Sequence, residues 1–405
     1  MLDPKNTNST AMSPPEFNVD MYADEVLRNP IPFYDALRDA GPVVSVPQYG
    51  VYAVGHTAEA TEILNDNERF IASAGTGLVD IRDPGLLRPV SFLLESDPPQ
   101  HTLARTTMQR IMSPVFVRSC QSMFIDRAEA LVDELLDKGQ VDGVGDIAEK
   151  FVLNVFSSVV GLELPPGPAI AITTMALNMQ GPMNERSMQA YKDAEPHLAW
   201  FEQAQARESA IPGGIADLTY QAEDAGNLPE GFAKNMASTF LAGGFDSTIG
   251  GIGHTLNLLA QHPSQWDLVC AKSQLARAAF NEAIRLNPPF RVIYRMITRE
   301  TEVAGYRLEP GMKIGVWICA VNRDPNLFER LDEYDITRKG AAASMSFGMG
   351  IHNCIGQMLA RLEAESIISA LAKRVSRIEL TGEPEYQLHN HMYLLDRLPL
   401  RLIPA

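Results

Sequence analysis

The sequence predicts a single, mainly α-helical domain with a minor β region, and three observations carry that prediction. From residue 101 onward, apolar residues recur at helical spacing through 101–113, 119–138, 143–160, 190–208, 230–262, 264–286 and 354–374. Runs with strand character are few and short. No internal repeat or low-complexity linker divides the 405 residues.

Residues 1–18 are polar and contain prolines, and they read as a flexible N-terminal tail ahead of one domain at 19–405. Pro32-Phe33-Tyr34-Asp35-Ala36-Leu37-Arg38 has helical character. Val43-Val44-Ser45-Val46 and Val51-Tyr52-Ala53-Val54, joined by Pro47-Gln48-Tyr49-Gly50, read as a hairpin. The stretch from Phe232 to His262 follows Pro229-Glu230-Gly231 and stops at Pro263, which predicts one helix of about 31 residues, roughly 46 Å long. It is apolar on nearly every face, and Lys234, Asp246 and His254 interrupt it. That pattern points to a buried central helix rather than a membrane span. Short β-like runs return at Thr301-Glu302-Val303-Ala304, at Lys313-Ile314-Gly315-Val316-Trp317 and near the C-terminus.

Bulk properties narrow the function. A hydrophobic content of 45% with a mean hydropathy of −0.08 is ordinary for a globular enzyme. The net charge of −16 argues against nucleic-acid partners and anionic membrane surfaces. Four cysteines, Cys120, Cys270, Cys319 and Cys354, show no paired spacing, so neither a disulfide framework nor a zinc site is expected. With no signal-peptide pattern and no long apolar run, the expected compartment is the cytoplasm.

One stretch carries chemistry: Phe347-Gly348-Met349-Gly350-Ile351-His352-Asn353-Cys354-Ile355-Gly356, just before a helical segment. Glycines at Gly348, Gly350 and Gly356 are expected to supply backbone conformations with positive φ and close approach to a flat ligand. A cysteine thiolate beside helix N-terminal N–H groups is suited to bind a metal. The pattern F-x-x-G-x-H-x-C-x-G resembles the haem-ligand loop of the cytochrome P450 superfamily. The resemblance implies a P450 fold built as one haem-binding domain, haem b as cofactor, and Cys354 as the axial ligand to its iron.

Other segments follow the family's order. Ala242-Gly243-Gly244-Phe245-Asp246-Ser247-Thr248 is poor helix material, each glycine costing about 1 kcal/mol against alanine, and predicts a kink or widened groove. It resembles the family's oxygen-activating groove, with Gly243 and Gly244 opening the helix and Asp246 and Ser247 delivering protons. Serine stands where the family usually has threonine, and it lacks the β-methyl that restricts χ1. Thr248 sits about 100° further round and is the poorer candidate. Glu282-Ala283-Ile284-Arg285 resembles the structural E-x-x-R pair. The segment resembling P-E-R-F reads Leu331-Asp332-Glu333-Tyr334, so no arginine fills the usual third place of that ion network. His101 and Arg105, within Asp97-Pro98-Pro99-Gln100-His101-Thr102-Leu103-Ala104-Arg105, together with Arg295 and His352, match positions that meet haem propionates.

On the substrate side, Leu37 to Val44, Leu64-Asn65-Asp66, Arg88 to Pro99, Asp335 to Lys339 and Cys354-Ile355-Gly356-Gln357 resemble the group that demethylates para-alkoxybenzoates. The resemblance assigns Arg88, Ser91 and Thr239 to a substrate carboxylate. Gln180 and Phe290 depart from that group and reshape the pocket, and Arg291 is read first as a surface residue and second as a further cation for the substrate. The expected reaction is insertion of one oxygen atom of O2 into a small organic substrate by hydroxylation or O-dealkylation, an aromatic carboxylic acid being the first candidate. No flavin or iron–sulfur motif is present, so electrons are expected from a ferredoxin and its NAD(P)H-dependent reductase, serving a monomer. Three alternatives stay open. One is a neutral terpenoid-like substrate. Another is a peroxide-using peroxygenase, against which Asp246-Ser247 argues, because such members carry arginine–proline there. The last is a non-enzymatic haem sensor or carrier.

Overall fold

The computed structural model describes residues 11–85 and 87–405. A β-branched hairpin, β1 (Val44–Val46) and β2 (Val51–Val54), opens the fold as predicted, with Val44 opposite Ala53. Gly50 closes its turn at φ 60°, a left-handed conformation that favours glycine. Three more strands complete a five-stranded sheet: β3 (Phe70–Ile71), β4 (Val292–Ile297) and β5 (Lys313–Trp317). The order is β1-β2-β5-β4-β3, with only the β2–β5 pair parallel. Every residue of β2 and β5 is buried, so these strands are apolar without alternation except at Lys313, whose ammonium is taken up by the carbonyls of Gly75, Gly77 and Val79. Sequence periodicity missed β4, whose alternation is broken by Arg295.

The helical part holds the larger core. Five helices position the site: α1 (Gln100–Ile111), α2 (Phe232–Gly243), α3 (Asp246–Gln261), α4 (Ala276–Leu286) and α5 (Gln357–Arg374). Gly251 lets α3 and α4 close up, since a Cβ there would stand 2.7 Å from the Phe280 ring. The single helix predicted over 230–262 is instead two, broken at Gly244-Phe245, where Phe245 leaves helical geometry at φ −125°. A freed carbonyl is satisfied from outside: Thr173 Oγ1 donates to Ala242 O at 3.1 Å. The predicted segment 190–208 also breaks, at Pro196, and 264–286 breaks at Lys272. The helix Pro166–Asn178 escaped prediction because its residues are apolar without a helical period.

The expected tail requires a correction. Residues 1–10 lie outside the described residues, but residues 11–18 are tied to the sheet region. Met12 N donates to Gly305 O at 3.0 Å, Phe17 N to Ser45 O at 2.8 Å, and Phe17 is 7% exposed. Composition predicted a loose segment because polar residues and prolines hide an edge that pairs through its backbone.

Glu282 and Arg285 are fully buried and bidentate, at 2.8 and 2.9 Å. The third place left open in the sequence is taken by Arg338, whose Nε donates to Glu282 Oε1 at 2.7 Å. Arg285 spends its remaining donors on the carbonyls of Asn322, Leu331 and Glu333. A charge this deep needs such full partnering.

Candidate active site

The cysteine loop is shaped by two of the three expected glycines. Gly348 and Gly350 both have φ 69°, and a Cβ on Gly350 would fall 2.3 Å from Leu64 O. Gly356 differs from expectation: it is the N-cap of α5 at φ −80°, which any residue adopts. A side chain there would stand 3.8 Å from Cys354 Sγ. Cys354 N donates to Phe347 O at 2.8 Å, and the Arg361 guanidinium covers the Phe347 ring at 4.3 Å. Burial pushes the Cys354 thiol up, while the N–H groups of Gly356 and Gln357 and the charges of Arg105 and Arg361 pull it down. Burial outweighs them, so the free thiol lies above its ordinary value, while these N–H groups and charges are the ones that would face a metal-bound thiolate.

His101 and Arg105 on α1, Arg295 on β4, and His352 in the loop form one group, two arginines beside two imidazoles. The rings of His101 and His352 lie 4.2 Å apart. Burial and the neighbouring Arg295, His101 and Arg105 push His352 down to about 2. Burial brings Arg295 down to about 10. Among the described residues none of the four forms a salt bridge, and His101 Nε2, Arg105 Nε and both His352 ring nitrogens are buried without a hydrogen-bond partner. Buried donors of this kind, next to the cysteine loop, fit the two carboxylates of a haem.

The break between α2 and α3 brings a second set of groups to the cleft. A Cβ on Gly244 would meet Phe156 Cζ at 2.6 Å, whereas one on Gly243 would meet only Leu177 at 3.7 Å. Gly244 is therefore required by packing, and Gly243 leaves space. Asp246 is 6% exposed and its carboxyl is pushed up to about 7, by burial and then by Glu149. Ser247 is partly exposed beside it. Thr248 turns away, and its hydroxyl shares a hydrogen bond with the carboxyl of Glu363 on α5. Burial holds Glu363 well above the usual carboxylate range. Sequence reading missed Glu363, although its signal is visible: it interrupts the apolar stripe Leu359, Ile367, Ala370 and Leu371 on α5.

The sequence profile described as Cytochrome P450 matches residues 270–401. Over 393 residues the chain is 35% identical to Cytochrome p450 CYP199A2 of Rhodopseudomonas palustris, a match spanning 96% of this chain and 95% of that protein. The chain belongs to the cytochrome P450 family. It is also 27% identical over 379 residues to linalool 8-monooxygenase of Pseudomonas putida, spanning 92% of this chain and 90% of that one. The crystal structure of CalO2 superposes with a TM-score of 0.82 at 25% identity, covering 96% of this chain and 99% of that one. As a P450, the protein is a monooxygenase whose cofactor is haem b with a cysteine thiolate ligand, and it draws on a substrate, O2 and redox partners. Among the described residues no helix is long and apolar enough to cross a membrane.

In this P450 the predicted substrate residues divide into two groups. Ser91 and Thr239 come together, with their hydroxyls 3.0 Å apart. Asn235, one turn earlier on α2, donates to Val90 O and accepts from Phe92 N, both at 2.7 Å, and pins this segment to the helix. Arg88 is buried, but it is not a free cation. Its fork engages Glu95, with Nη1 to Oε2 at 3.0 Å, and Glu95 also accepts from the N–H groups of Ser91 and Thr76. Only Arg88 Nε remains without a partner. The pairing was hidden in sequence because Glu95, seven residues away, reads as a surface acid.

Gln180 packs against Gly77 and accepts from Leu78 N at 2.6 Å, leaving its side chain partly exposed. Phe290 joins Leu177, Met392 and Leu394 in a small apolar cluster. Arg291, expected at the surface, is 1% exposed. It follows Phe290 into the start of β4, and the strand carries it inward.

Proposed function

We propose that this P450 inserts one oxygen atom of O2 into a small aromatic carboxylic acid, by hydroxylation or by O-dealkylation of an ether carbon. We place Cys354 as the iron ligand, and His101, Arg105, Arg295 and His352 as the donors to the haem carboxylates. Bound haem with its thiolate supplies the activation of dioxygen and the oxidant. The chain's own residues then have three tasks. The Ser91–Thr239 hydroxyl pair and the Nε edge of Arg88 hold the acid by hydrogen bonds. Phe290 and the apolar cluster behind it exclude water from the reacting end. Asp246, held near neutrality in its titration, gives and regains a proton, and the Ser247 hydroxyl passes it into the cleft. That carboxyl, buried at a helix break beside an alcohol, carries the reading, because a proton donor titrating near working pH suits turnover with O2. Electrons come from a ferredoxin and its reductase, and the enzyme works as a cytoplasmic monomer.

One observation favours a second reading. The Arg88 charge is compensated by Glu95, which suits a neutral oxygenated substrate, such as a terpenoid alcohol, held by Ser91 and Thr239. Titration of the ferric holoenzyme with para-substituted benzoic acids beside their methyl esters separates the two. A high-spin shift for the acids alone supports the first; shifts for esters or terpenoid alcohols alone replace it with the second. Turnover with peroxide but not with ferredoxin, reductase and NAD(P)H would instead make the enzyme a peroxygenase.

A further inference from the structure

Arg291 is a fully buried guanidinium with no compensating acid. It is 1% exposed, and among the described residues it forms no salt bridge. The neighbouring cations are balanced elsewhere: Arg88 by Glu95, and Arg186 by Asp24. The groups facing Arg291 are all neutral. Burial keeps Tyr34 and Cys319 protonated, and Tyr22 and Tyr294 likewise. Burial and the surrounding cations keep His389 and His391 unprotonated.

The neutral acceptors beside the guanidinium, the Tyr34 hydroxyl and His391 Nδ1, leave most of its donors unsatisfied. Arg291 Nε and Nη2 have no hydrogen-bond partner, nor does the indole Nε1 of Trp317, whose ring lies 5.8 Å from the guanidinium carbon. His389 Nδ1 accepts from both His391 N and Met392 N at 3.1 Å, which fixes its proton on Nε2. That Nε2–H is again buried and unpartnered. His391 ties the region to Arg291 through its carbonyl, which accepts from Arg291 N at 3.1 Å, and its ring packs 5.6 Å from Phe290. An uncompensated buried cation ringed by orphaned donors is costly unless a negatively charged acceptor joins it.

We propose that Arg291, with His389 and Trp317, forms a buried site for a small monovalent anion, a halide or a carboxylate. Nothing in the oxygen chemistry uses these residues. Bound there, the anion neutralises the guanidinium and fixes the turn 389–392 against β4.

The test uses the holoenzyme. In wild type, Tm should rise saturably with sodium bromide, against sodium sulfate at matched ionic strength, by about 3 °C at a hundredfold excess over Kd. Crystals grown with bromide should show an anomalous peak beside Arg291, absent in Arg291→Met. A bromide response with unchanged acid binding in Arg291→Met assigns the site to an inorganic anion. An acid affinity that falls at least about tenfold in that variant, with methyl esters unaffected and bromide competing, assigns it to the substrate carboxylate. The proposal fails if wild type shows neither a peak nor a saturable Tm response and the variant binds acids normally. The two bromide measurements on wild type decide the inorganic case even if Arg291→Met does not fold.

Discussion

Two buried clusters, each built around arginine, differ in whether a carboxylate of the protein pairs with them directly. Around Cys354, His101, Arg105, Arg295 and His352 gather without a carboxylate partner. On the substrate side, Arg88 is locked into Glu95, which also ties down two backbone N–H groups. The first cluster is arranged to receive charge from a ligand, and the second is arranged to hold its own loop. A buried arginine is thus not by itself an anion receptor; its partners decide. Cys354→Ser gives the largest expected break in the comparison. Monooxygenase activity and the thiolate-type ferrous–CO spectrum should both be abolished, with the fold kept, and retention of that spectrum would remove Cys354 as the ligand.

A similar contrast separates Arg285, whose donors are all satisfied by protein, from the ligand-facing cations. Arg285→Ala leaves Glu282, fully buried, with Arg338 and the Asp335 N–H as its remaining partners and should destabilise the holoenzyme by about 3–5 kcal/mol, read as a lowered denaturant midpoint. Removing Arg295 should instead weaken haem retention more than it lowers the stability of the apoprotein. If the two variants behave alike, the distinction between the clusters collapses.

Asp246→Asn probes the group proposed to deliver protons, and an effect of about 10²-fold on coupled turnover is expected, with more peroxide released. Its linkage has a definite sign. Burial raises Asp246 from its ordinary 3.8 to about 7, so the folded protein holds a proton there that the unfolded chain has lost. That contribution to stability is full below pH 4 and is lost as pH rises through 7, at most about 4 kcal/mol. Asp246→Asn should therefore flatten the decline in stability between pH 4 and 7. An unchanged slope would show that Asp246 ionises normally.

These contrasts also mark what the sequence could reveal. His101, Arg105, Arg295 and His352 were singled out by family resemblance, whereas the cysteine loop and the groove could be singled out because each is a local spacing, a glycine-rich turn or two glycines before an acid. The hairpin was legible for the same reason, through β-branched residues flanking a Pro-Gly turn. What stayed hidden is what tertiary contact decides. Arg338 entering the Glu282 network, Glu95 neutralising Arg88, and Glu363 meeting Thr248 across two helices leave no local spacing to read. Arg291 was misplaced because charge alone suggested the surface, whereas the direction of β4 buries it. The break in the central helix was half legible: the glycines announced a weakness, but Thr173, from a helix with no periodic signal, supplies the donor that stabilises it.

Glu95→Gln is the mildest and most discriminating change. It keeps the shape and one of the two acceptor oxygens, so one of the N–H groups of Ser91 and Thr76 loses its acceptor, and it removes the charge that compensates Arg88. If Arg88 faces a substrate carboxylate, acids should bind about tenfold tighter in this variant while their methyl esters stay unchanged, followed by the haem spin state. Equal changes for acids and esters would mean that Arg88 and Glu95 only hold the loop. The Ser91–Thr239 pair would then be the sole polar contact of that wall, and the comparison between the two clusters would sharpen into one between a ligand-binding set and a purely structural pair.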